Sequence, residues 1–141
     1  MPAKTTGYSG TPLAKKLGFK PDTSVALIGA PPFMRSVVGE AGAKAQPTDK
    51  AKGVKGPVAA AHVFTTEEAV LKAALPVLMK AIARDGMIWV SWPKKASKVP
   101  TDITEDTIRK LALPLGLVDV KVCAVDDVWS GLKLMIRKEN R

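Results

Sequence analysis

Three predominantly apolar runs constrain the fold of this chain more than any other feature. They occupy residues 25–30, 58–64 and 87–92, and turn-forming or charged residues bound each of them. Strands buried on both faces have this composition, whereas half-exposed strands alternate apolar and polar residues. Both alternating faces of the third run are apolar, so helices must cover both sides of the predicted sheet.

Helix signals precede and follow the first run. Thr11 and Pro12 have the residue types of an N-cap and a first helical position, and Gly18 would close a short helix. After Pro31 and its neighbour stop the first strand, residues 33–38 are expected to form a second short helix.

The longest predicted helix follows the second run. Thr65 can cap it, and Glu68, three residues on, completes the pattern of a capping box. Apolar residues continue at helical spacing to Ile82, and Gly86 is expected to end the helix. Pro76 lies inside this pattern and should kink the helix, because its ring removes a backbone hydrogen bond.

The last third of the chain predicts a helix and two strands. Thr104 can cap the helix, with Ile103 and Ile108 placed as a hydrophobic staple. Residues 117–125 and 128–137 alternate in the manner of an antiparallel hairpin. Strands alternating with helices predict an α/β fold: a small Rossmann-like three-layer sandwich, mostly parallel, with a C-terminal antiparallel hairpin.

The length of 141 residues fits one domain. Residues 1–10 are expected to be a flexible N-terminal segment, and residues 11–141 a single Rossmann-like domain. Within it, residues 39–57 form a basic stretch rich in Gly, Ala and Pro. This stretch predicts a loop with at most one edge strand, near Val54.

The amino-acid composition restricts the class of protein and the compartment that we expect. Hydrophobic residues make up 46% of the chain, enough for a core and too many for intrinsic disorder. The single cysteine, Cys123, excludes an internal disulfide framework and suits a reducing compartment. No apolar leader or stretch of about 20 apolar residues is evident. We therefore expect a soluble cytoplasmic protein without a membrane partner.

The formal net charge is +9, with the excess spread over both halves of the chain. Diffuse basicity favours contact with polyanions without specifying one. Two denser runs are Lys44, Lys50, Lys52 and Lys55, and Lys94, Lys95 and Lys98. Solvated loops account for such runs in most proteins, and binding of nucleic acid is the alternative.

From residue 58 onward, the order of elements resembles the C-terminal half of Rossmann-like methyltransferases that use S-adenosylmethionine. A strand and helix precede a glycine-led strand at residues 86–90, and a helix and hairpin follow. Three motif groups resemble a small bacterial Rossmann-like family of unknown function. They are residues 8–13 (YSGTPL) with 16–18, residues 92–95 (WPKK), and residues 113–119 (LPLGLVD) with 121–124 (KVCA) and 129–132 (WSGL). This resemblance implies a fold and a bacterial cytoplasmic setting, and no reaction.

In an open parallel sheet, ligands bind beyond the carboxyl ends of the strands. An anionic or nucleotide-like ligand would suit the lysines, the helix start and the aromatic ring expected there. The hairpin turn, with Asp126 and Asp127, is expected at the same edge. The predicted ligand-binding residues are Pro31, Pro32, Thr65, Thr66, Trp92, Lys94, Lys95, Trp129 and Ser130.

Two features argue against a working cofactor site. Dinucleotide-binding Rossmann domains place a glycine-rich turn after the first strand, whereas residues 29–33 read Gly-Ala-Pro-Pro-Phe. Residues 39–57 also lack a clear second strand ending in Asp or Glu to hold ribose hydroxyls, and the nearby carboxylate of Glu40 is poorly placed for this role. Methyl transfer is therefore disfavoured, and no cofactor is assigned.

No catalytic or metal-binding residue is assigned. His62, the only histidine, lies in an apolar strand and is expected to be a satisfied core residue. Cys123 is expected to be a buried structural thiol, and Trp89 and Trp92 to be core residues on opposite faces. Residues 53–56 have the pattern of a phosphate-gripping GxxG loop, a weak signal in isolation.

Three hypotheses remain. The first is a non-catalytic Rossmann-like module that acts through a protein partner, with an anionic ligand at the strand edge. The second is a divergent methyltransferase-like enzyme, and the third is a nucleic-acid-binding protein that uses the two lysine runs.

Overall fold

The computed structural model describes residues 12–141. The helices are α1 (Leu13–Leu17), α2 (Phe33–Glu40), α3 (Glu68–Ala81) and α4 (Glu105–Ala112). The strands are β1 (Ser24–Ile28), β2 (Lys44–Thr48), β3 (Val58–Phe64), β4 (Ile82–Pro93), β5 (Leu117–Ala124) and β6 (Trp129–Ile136). The predicted cap Thr11, the segment 1–10 and most of the YSGTPL motif lie outside the described residues.

The six strands form one sheet in the order β2-β1-β3-β4-β6-β5. The first four are parallel, and β6 pairs antiparallel with both β4 and β5. The predicted α/β class, the mostly parallel sheet and the C-terminal hairpin are confirmed. The segment 39–57, predicted as a loop with at most one edge strand near Val54, does contain one edge strand, but this is β2 at Lys44–Thr48, which pairs with β1.

Two hydrophobic cores cover the two faces of the sheet. The larger core contains Ile88, Val90 and Trp92 of β4 with the apolar faces of α3 and α4. The smaller core lies against α1 and α2 and contains Trp89. The two tryptophans therefore lie on opposite faces and are both buried, as predicted.

The start of α3 differs from the prediction. Thr65 does not cap the helix; its hydroxyl accepts a hydrogen bond from the Glu67 N–H at 3.1 Å, and α3 begins at Glu68. The Glu68 N–H instead donates to the carboxylate of Asp102 at 2.7 Å. This cap comes from a distant loop, so local sequence spacing cannot reveal it.

The end of α3 also differs, because the helix stops at Ala81 and β4 begins at Ile82, which pairs with Val58. Gly86 lies inside β4 and does not end the helix. A Cβ at Gly86 would lie 2.8 Å from the carbonyl oxygen of Ala59. Glycine is therefore needed at position 86 because two backbone segments approach each other closely, and not because it ends a helix.

Helix α1 is fastened across the sheet. Gly18 ends it in the left-handed conformation, with φ of 78°, as predicted. The indole N–H of Trp89 donates to the carbonyl of Leu17 at 2.8 Å, and the Lys121 ammonium donates to the carbonyl of Lys16 at 3.1 Å. These bonds place α1 over β4, β6 and β5.

The predicted cap of α4 is confirmed. The Thr104 hydroxyl accepts from the Thr107 N–H, and the Thr107 hydroxyl accepts from the Thr104 N–H. Ile103 and Ile108 are both buried, as expected of a hydrophobic staple. Among residues 12–141, no helix is both long enough and apolar enough to span a bilayer.

Candidate functional site

The sheet topology fixes where a ligand site would form. From β1 the chain passes to β2 on one side and then crosses to β3 on the other side. The order of strands therefore reverses at β1, and a crevice opens beyond the carboxyl ends of the strands at such a point.

A cavity of about 400 Å³ lies at this end of β1 and β2. Its volume is within the range of small-molecule sites. Within the described chain it is lined by Leu27, Gly29, Ala30, Pro31, Pro32, Arg35, Pro47, Thr48 and Asp49. We call this the switch-point cavity.

The turn after β1 brings backbone close to the cavity. Gly29 has a φ of 62°, and a Cβ there would lie 3.0 Å from the carbonyl oxygen of Phe64. The Gly29 N–H donates to the carbonyl of Thr48 at 3.0 Å, which ties the turn to β2. Pro31 and Pro32 have no N–H, so Ala30 and Phe33 supply the other backbone donors of residues 29–33.

Asp49 directly follows β2, contrary to the prediction that no second strand ends in a carboxylate. The register of β2 with β1 places Thr48 beside Ile28, so Asp49 lies at the carboxyl edge of the sheet. Asp49 is exposed, and it lines the switch-point cavity. Glu40 ends α2 and does not line this cavity.

Of the predicted ligand-binding residues, Pro31 and Pro32 line the switch-point cavity. Thr65 and Thr66 follow β3, where a nearby loop partly occupies the edge. The Thr66 carbonyl accepts from the Asp102 N–H at 3.3 Å and from the Thr101 hydroxyl at 2.7 Å. These bonds hold the loop against the start of α3, where the Asp102 carboxylate accepts the hydrogen bond from the Glu68 N–H.

The remaining predicted residues lie farther along the same edge. Trp92 is buried in the larger core, and Ser130 is its register partner on β6. The Trp129 ring meets Phe64 edge-on, with centroids 5.2 Å apart. The Lys94 N–H donates to the Val128 carbonyl at 2.7 Å.

Lys95 is exposed in a short 3₁₀ turn, and Asp126 shapes the hairpin turn. The Asp126 carboxylate accepts from the Val128 and Trp129 N–H groups at 2.9 and 2.7 Å. The other seven lining residues of the switch-point cavity were not predicted as ligand-binding; the polar ones among them are Arg35, Thr48 and Asp49. Only an edge strand at residues 44–48 could have drawn attention to the last two.

His62 and Ser91 form a buried polar pair in the sheet. His62 Nε2 lies 2.7 Å from the Ser91 hydroxyl, and the imidazole stacks on Phe64 with centroids 4.3 Å apart. Nδ1 has no hydrogen-bond partner among the described residues. Burial lowers the pKa of His62 to about 3. The expected core position is confirmed, but only one ring nitrogen is satisfied.

Cys123, expected to be a buried structural thiol, is half-buried on the edge strand β5. Burial raises the pKa of the thiol, and the charges of Lys16 and Lys121 oppose this shift. An outer strand has a neighbour on one side only, which leaves the side chain partly accessible. No group of His, Cys, Asp and Glu residues suited to a metal ion occurs within the described chain.

The two lysine runs lie in exposed connections. The first spans β2 and the loop before β3, where the Lys55 N–H donates to the side chain of Gln46 at 2.6 Å. Within the GxxG-like segment, a Cβ at Gly56 would lie 2.5 Å from the Ala81 carbonyl oxygen. This close packing against the end of α3 is a structural reason for a glycine at position 56.

A second cavity of about 580 Å³ lies at the opposite end of the sheet. Its lining includes Ile82, Leu115 and Ile136, with Lys80 and Arg84. It is at the amino end of β4, away from the switch point. The switch-point cavity is therefore the better candidate for a ligand site.

Solved structures similar to this chain include several methyltransferases and a putative hemolysin from Streptococcus thermophilus. One from Aquifex aeolicus has a TM-score of 0.68 at 16% identity, covering 86% of each chain. A ribosomal protein L11 methylase from Lactobacillus delbrueckii subsp. bulgaricus has a TM-score of 0.64 at 14% identity, covering 89% of this chain and 75% of that one. The M1A22 tRNA methyltransferase of B. subtilis has a TM-score of 0.58 at 11% identity, covering 95% and 67%.

No protein-family model matches the chain, and no curated protein matches it. Membership of the bacterial family that the three motif groups resemble therefore stays a prediction. Identities of this size show the fold alone. The chain has the Rossmann-like fold of S-adenosylmethionine-dependent methyltransferases.

Proposed function

We propose that this chain is a methyltransferase-like protein that binds S-adenosylmethionine, or its demethylated product, in the switch-point cavity. The observation that carries the proposal is Asp49, an exposed carboxylate that follows the strand beside β1 and lines the cavity. This reverses the preference for a non-catalytic module that the sequence suggested, since that preference depended in part on the absence of such a carboxylate.

The cavity fits the nucleoside half of this ligand. An ionised carboxylate accepts hydrogen bonds at both oxygens, so Asp49 can hold both hydroxyls of a ribose. Gly29 permits the left-handed turn that brings backbone to the cavity, and a side chain there would press on Phe64. The volume of about 400 Å³ suits a ligand of this size.

The amino-acid half of the ligand meets fewer donors. Arg35, on α2, lines the cavity and suits a carboxylate. Because Pro31 and Pro32 lack N–H groups, the turn offers fewer backbone donors than a glycine-rich turn. We therefore expect modest affinity, with a Kd between about 1 μM and 1 mM.

When bound, S-adenosylmethionine supplies an electrophilic methyl group on its sulfonium. Asp49 would hold the nucleoside hydroxyls, and Arg35 would hold the carboxylate of the amino-acid half. His62 is buried and uncharged near neutral pH, so it is not assigned to proton transfer at this edge.

Calorimetric titration with S-adenosylmethionine and S-adenosylhomocysteine tests the proposal. A hydrogen bond to a charged group contributes about 1.5–3 kcal/mol, so Asp49→Ala should weaken binding by about 10- to 150-fold. Glu40→Ala is the matched control, because this exposed carboxylate does not line the cavity. Absence of binding to wild-type protein at millimolar ligand, or equal loss in the two variants, would contradict the proposal.

A non-catalytic module for an anionic ligand is the second candidate. The two prolines of the turn and the guanidinium of Arg35 favour it, because they leave a cation as the principal donor of the cavity. For this candidate we expect a ribose-free anion such as inorganic pyrophosphate to bind in an Arg35-dependent and Asp49-independent manner. Stronger binding of S-adenosylhomocysteine than of pyrophosphate, with loss in Asp49→Ala, would exclude it.

A further inference from the structure

Four lysines from separate parts of the sequence meet on one face of the sheet. Lys121 and Lys133 are register partners on β5 and β6, and Lys16 and Lys20 lie in and just after α1. The Lys121 ammonium lies 3.1 Å from the Lys16 carbonyl, which brings the strand pair against α1. We call this group the lysine face; neither of the two sequence runs of lysine contributes to it.

The pairing of Lys121 with Lys133 across β5 and β6 is electrostatically unfavourable. Directly opposed side chains in antiparallel strands have Cβ atoms about 4.5–5.5 Å apart, and like charges at such positions destabilise the pair. Burial lowers the pKa of Lys133, and the charges of Lys121 and Lys20 lower it further. The charges of Lys16 and Lys121 also act on Cys123 between them. The four ammonium groups thus share one electrostatic environment.

Carboxylates of the described chain do not neutralise the lysine face. Arg109 forms ion pairs with Glu105, Asp106 and Asp119, and none of the four lysines takes part in these pairs. Asp119 lies on β5 but turns toward α4, on the opposite side of the sheet. An external anion would therefore relieve the repulsion among these lysines.

We propose that the lysine face binds the phosphate backbone of a nucleic acid. The face extends from α1 across β6 to β5, so an extended polyanion can meet several of its ammonium groups at once. A lipid surface fits less well, because the exposed apolar side chain of Val122 on β5 does not lie on the lysine face. Its register partner, Leu132, belongs to the larger core, on the opposite face of the sheet. This proposal is independent of ligand binding in the switch-point cavity.

The test is fluorescence anisotropy of a labelled 20-base-pair RNA duplex, titrated with full-length protein over a series of salt concentrations. Each phosphate contact contributes about −0.9 to the slope of log K against log salt for B-form DNA, and we expect a similar slope for RNA. The variant K20Q/K121Q removes two exposed lysines of the face. It should reduce the magnitude of the slope by about two and weaken binding at least tenfold at low salt.

The matched control is K44Q/K52Q, which removes two exposed lysines from the first sequence run and leaves the net charge equal to that of the test variant. Equal loss of affinity in the two variants would overturn the proposal, since binding would then follow net charge alone. A membrane surface would replace nucleic acid as the partner if the protein bound phosphatidylserine vesicles more tightly than RNA and K20Q/K121Q weakened that binding. This result would overturn the proposal.

Amine acetylation of wild-type protein gives a second readout that needs no variant. RNA should protect Lys20 and Lys121 from acetylation and leave Lys44 and Lys52 reactive. Protection of Lys44 and Lys52 alone would contradict the proposal even if K20Q/K121Q failed to fold.

Discussion

Acidification from pH 7.5 to pH 5 should destabilise this protein through His62. The imidazole is fully buried, and burial lowers its pKa from 6.5 to about 3. In the unfolded chain the same histidine binds a proton below about pH 6.5. The unfolded state therefore takes up a proton first as the pH falls, so the free energy of unfolding decreases.

The size of this effect follows from the difference in pKa. Each pH unit below the unfolded pKa costs up to about 1.4 kcal/mol, so stability should fall by about 2 kcal/mol between pH 7.5 and 5. The contribution is complete above about pH 6.5 and is lost as the pH falls toward about 3. Urea unfolding at several pH values, followed by circular dichroism, measures it.

Other shifted groups of the described chain titrate outside this window. The pKa of Asp119 is lowered from 3.8 by its hydrogen bond to Arg109, so its contribution is lost only at lower pH. The pKa of Cys123 is raised from 9.0, and that of Lys133 is lowered from 10.5, so both act in alkaline solution. Among these groups, His62 alone responds between pH 5 and pH 7.

The double variant H62F/S91A is the control. It replaces both partners of the buried hydrogen bond with apolar groups, which leaves neither partner unsatisfied. Its stability should change little between pH 7.5 and 5. Parallel pH profiles for wild type and variant would refute the reasoning, as would movement of the His62 ring proton resonance between pH 7.5 and 5 in the folded protein.

Three further predictions concern folding stability, each measured by chemical denaturation. Leu75→Ala removes a fully buried side chain between α3 and the sheet and should cost about 2–5 kcal/mol; a cost below 1 kcal/mol would contradict the packing described. Thr104→Ala removes the cap of α4 and should cost about 1 kcal/mol; an unchanged free energy of unfolding would contradict the capping role. Gly29→Ala forces a left-handed residue against Phe64 and should cost about 1–2 kcal/mol, whereas Gly39→Ala, with open space around it, should be neutral or stabilising.

The buried strands were predictable because their residues carry the signal themselves. Residues 25–28, 58–64 and 87–92 are apolar except for His62 and Ser91, and each run lies inside the sheet. Strand β2 has the sequence Lys-Ala-Gln-Pro-Thr, which lacks an apolar pattern. It is an edge strand, where backbone bonds to β1 suffice and proline is tolerated.

The boundaries of α3 were not predictable from local residues. Its cap, Asp102, comes from a loop 34 residues away in sequence. Its end is set by pairing of Ile82 with Val58, which local helical spacing does not encode. Both errors arise where contacts between distant segments override local preference.

The candidate site was only partly predictable for the same reason. The general location beyond the strand ends followed from fold class, and Pro31 and Pro32 lie in the cavity. Asp49 was missed because its role depends on β2, and Lys121 and Lys133 were missed as a pair because only the hairpin register brings them together.

Amide chemical shifts give the most direct test of the central claim that the switch-point cavity binds a nucleoside ligand. Addition of S-adenosylhomocysteine to ¹⁵N-labelled protein should move the resonances of Gly29, Ala30, Thr48 and Asp49. Resonances of Arg84, in the cavity at the opposite end of the sheet, should stay in place. Unchanged spectra at millimolar ligand, or shifts confined to the opposite cavity, would contradict the account.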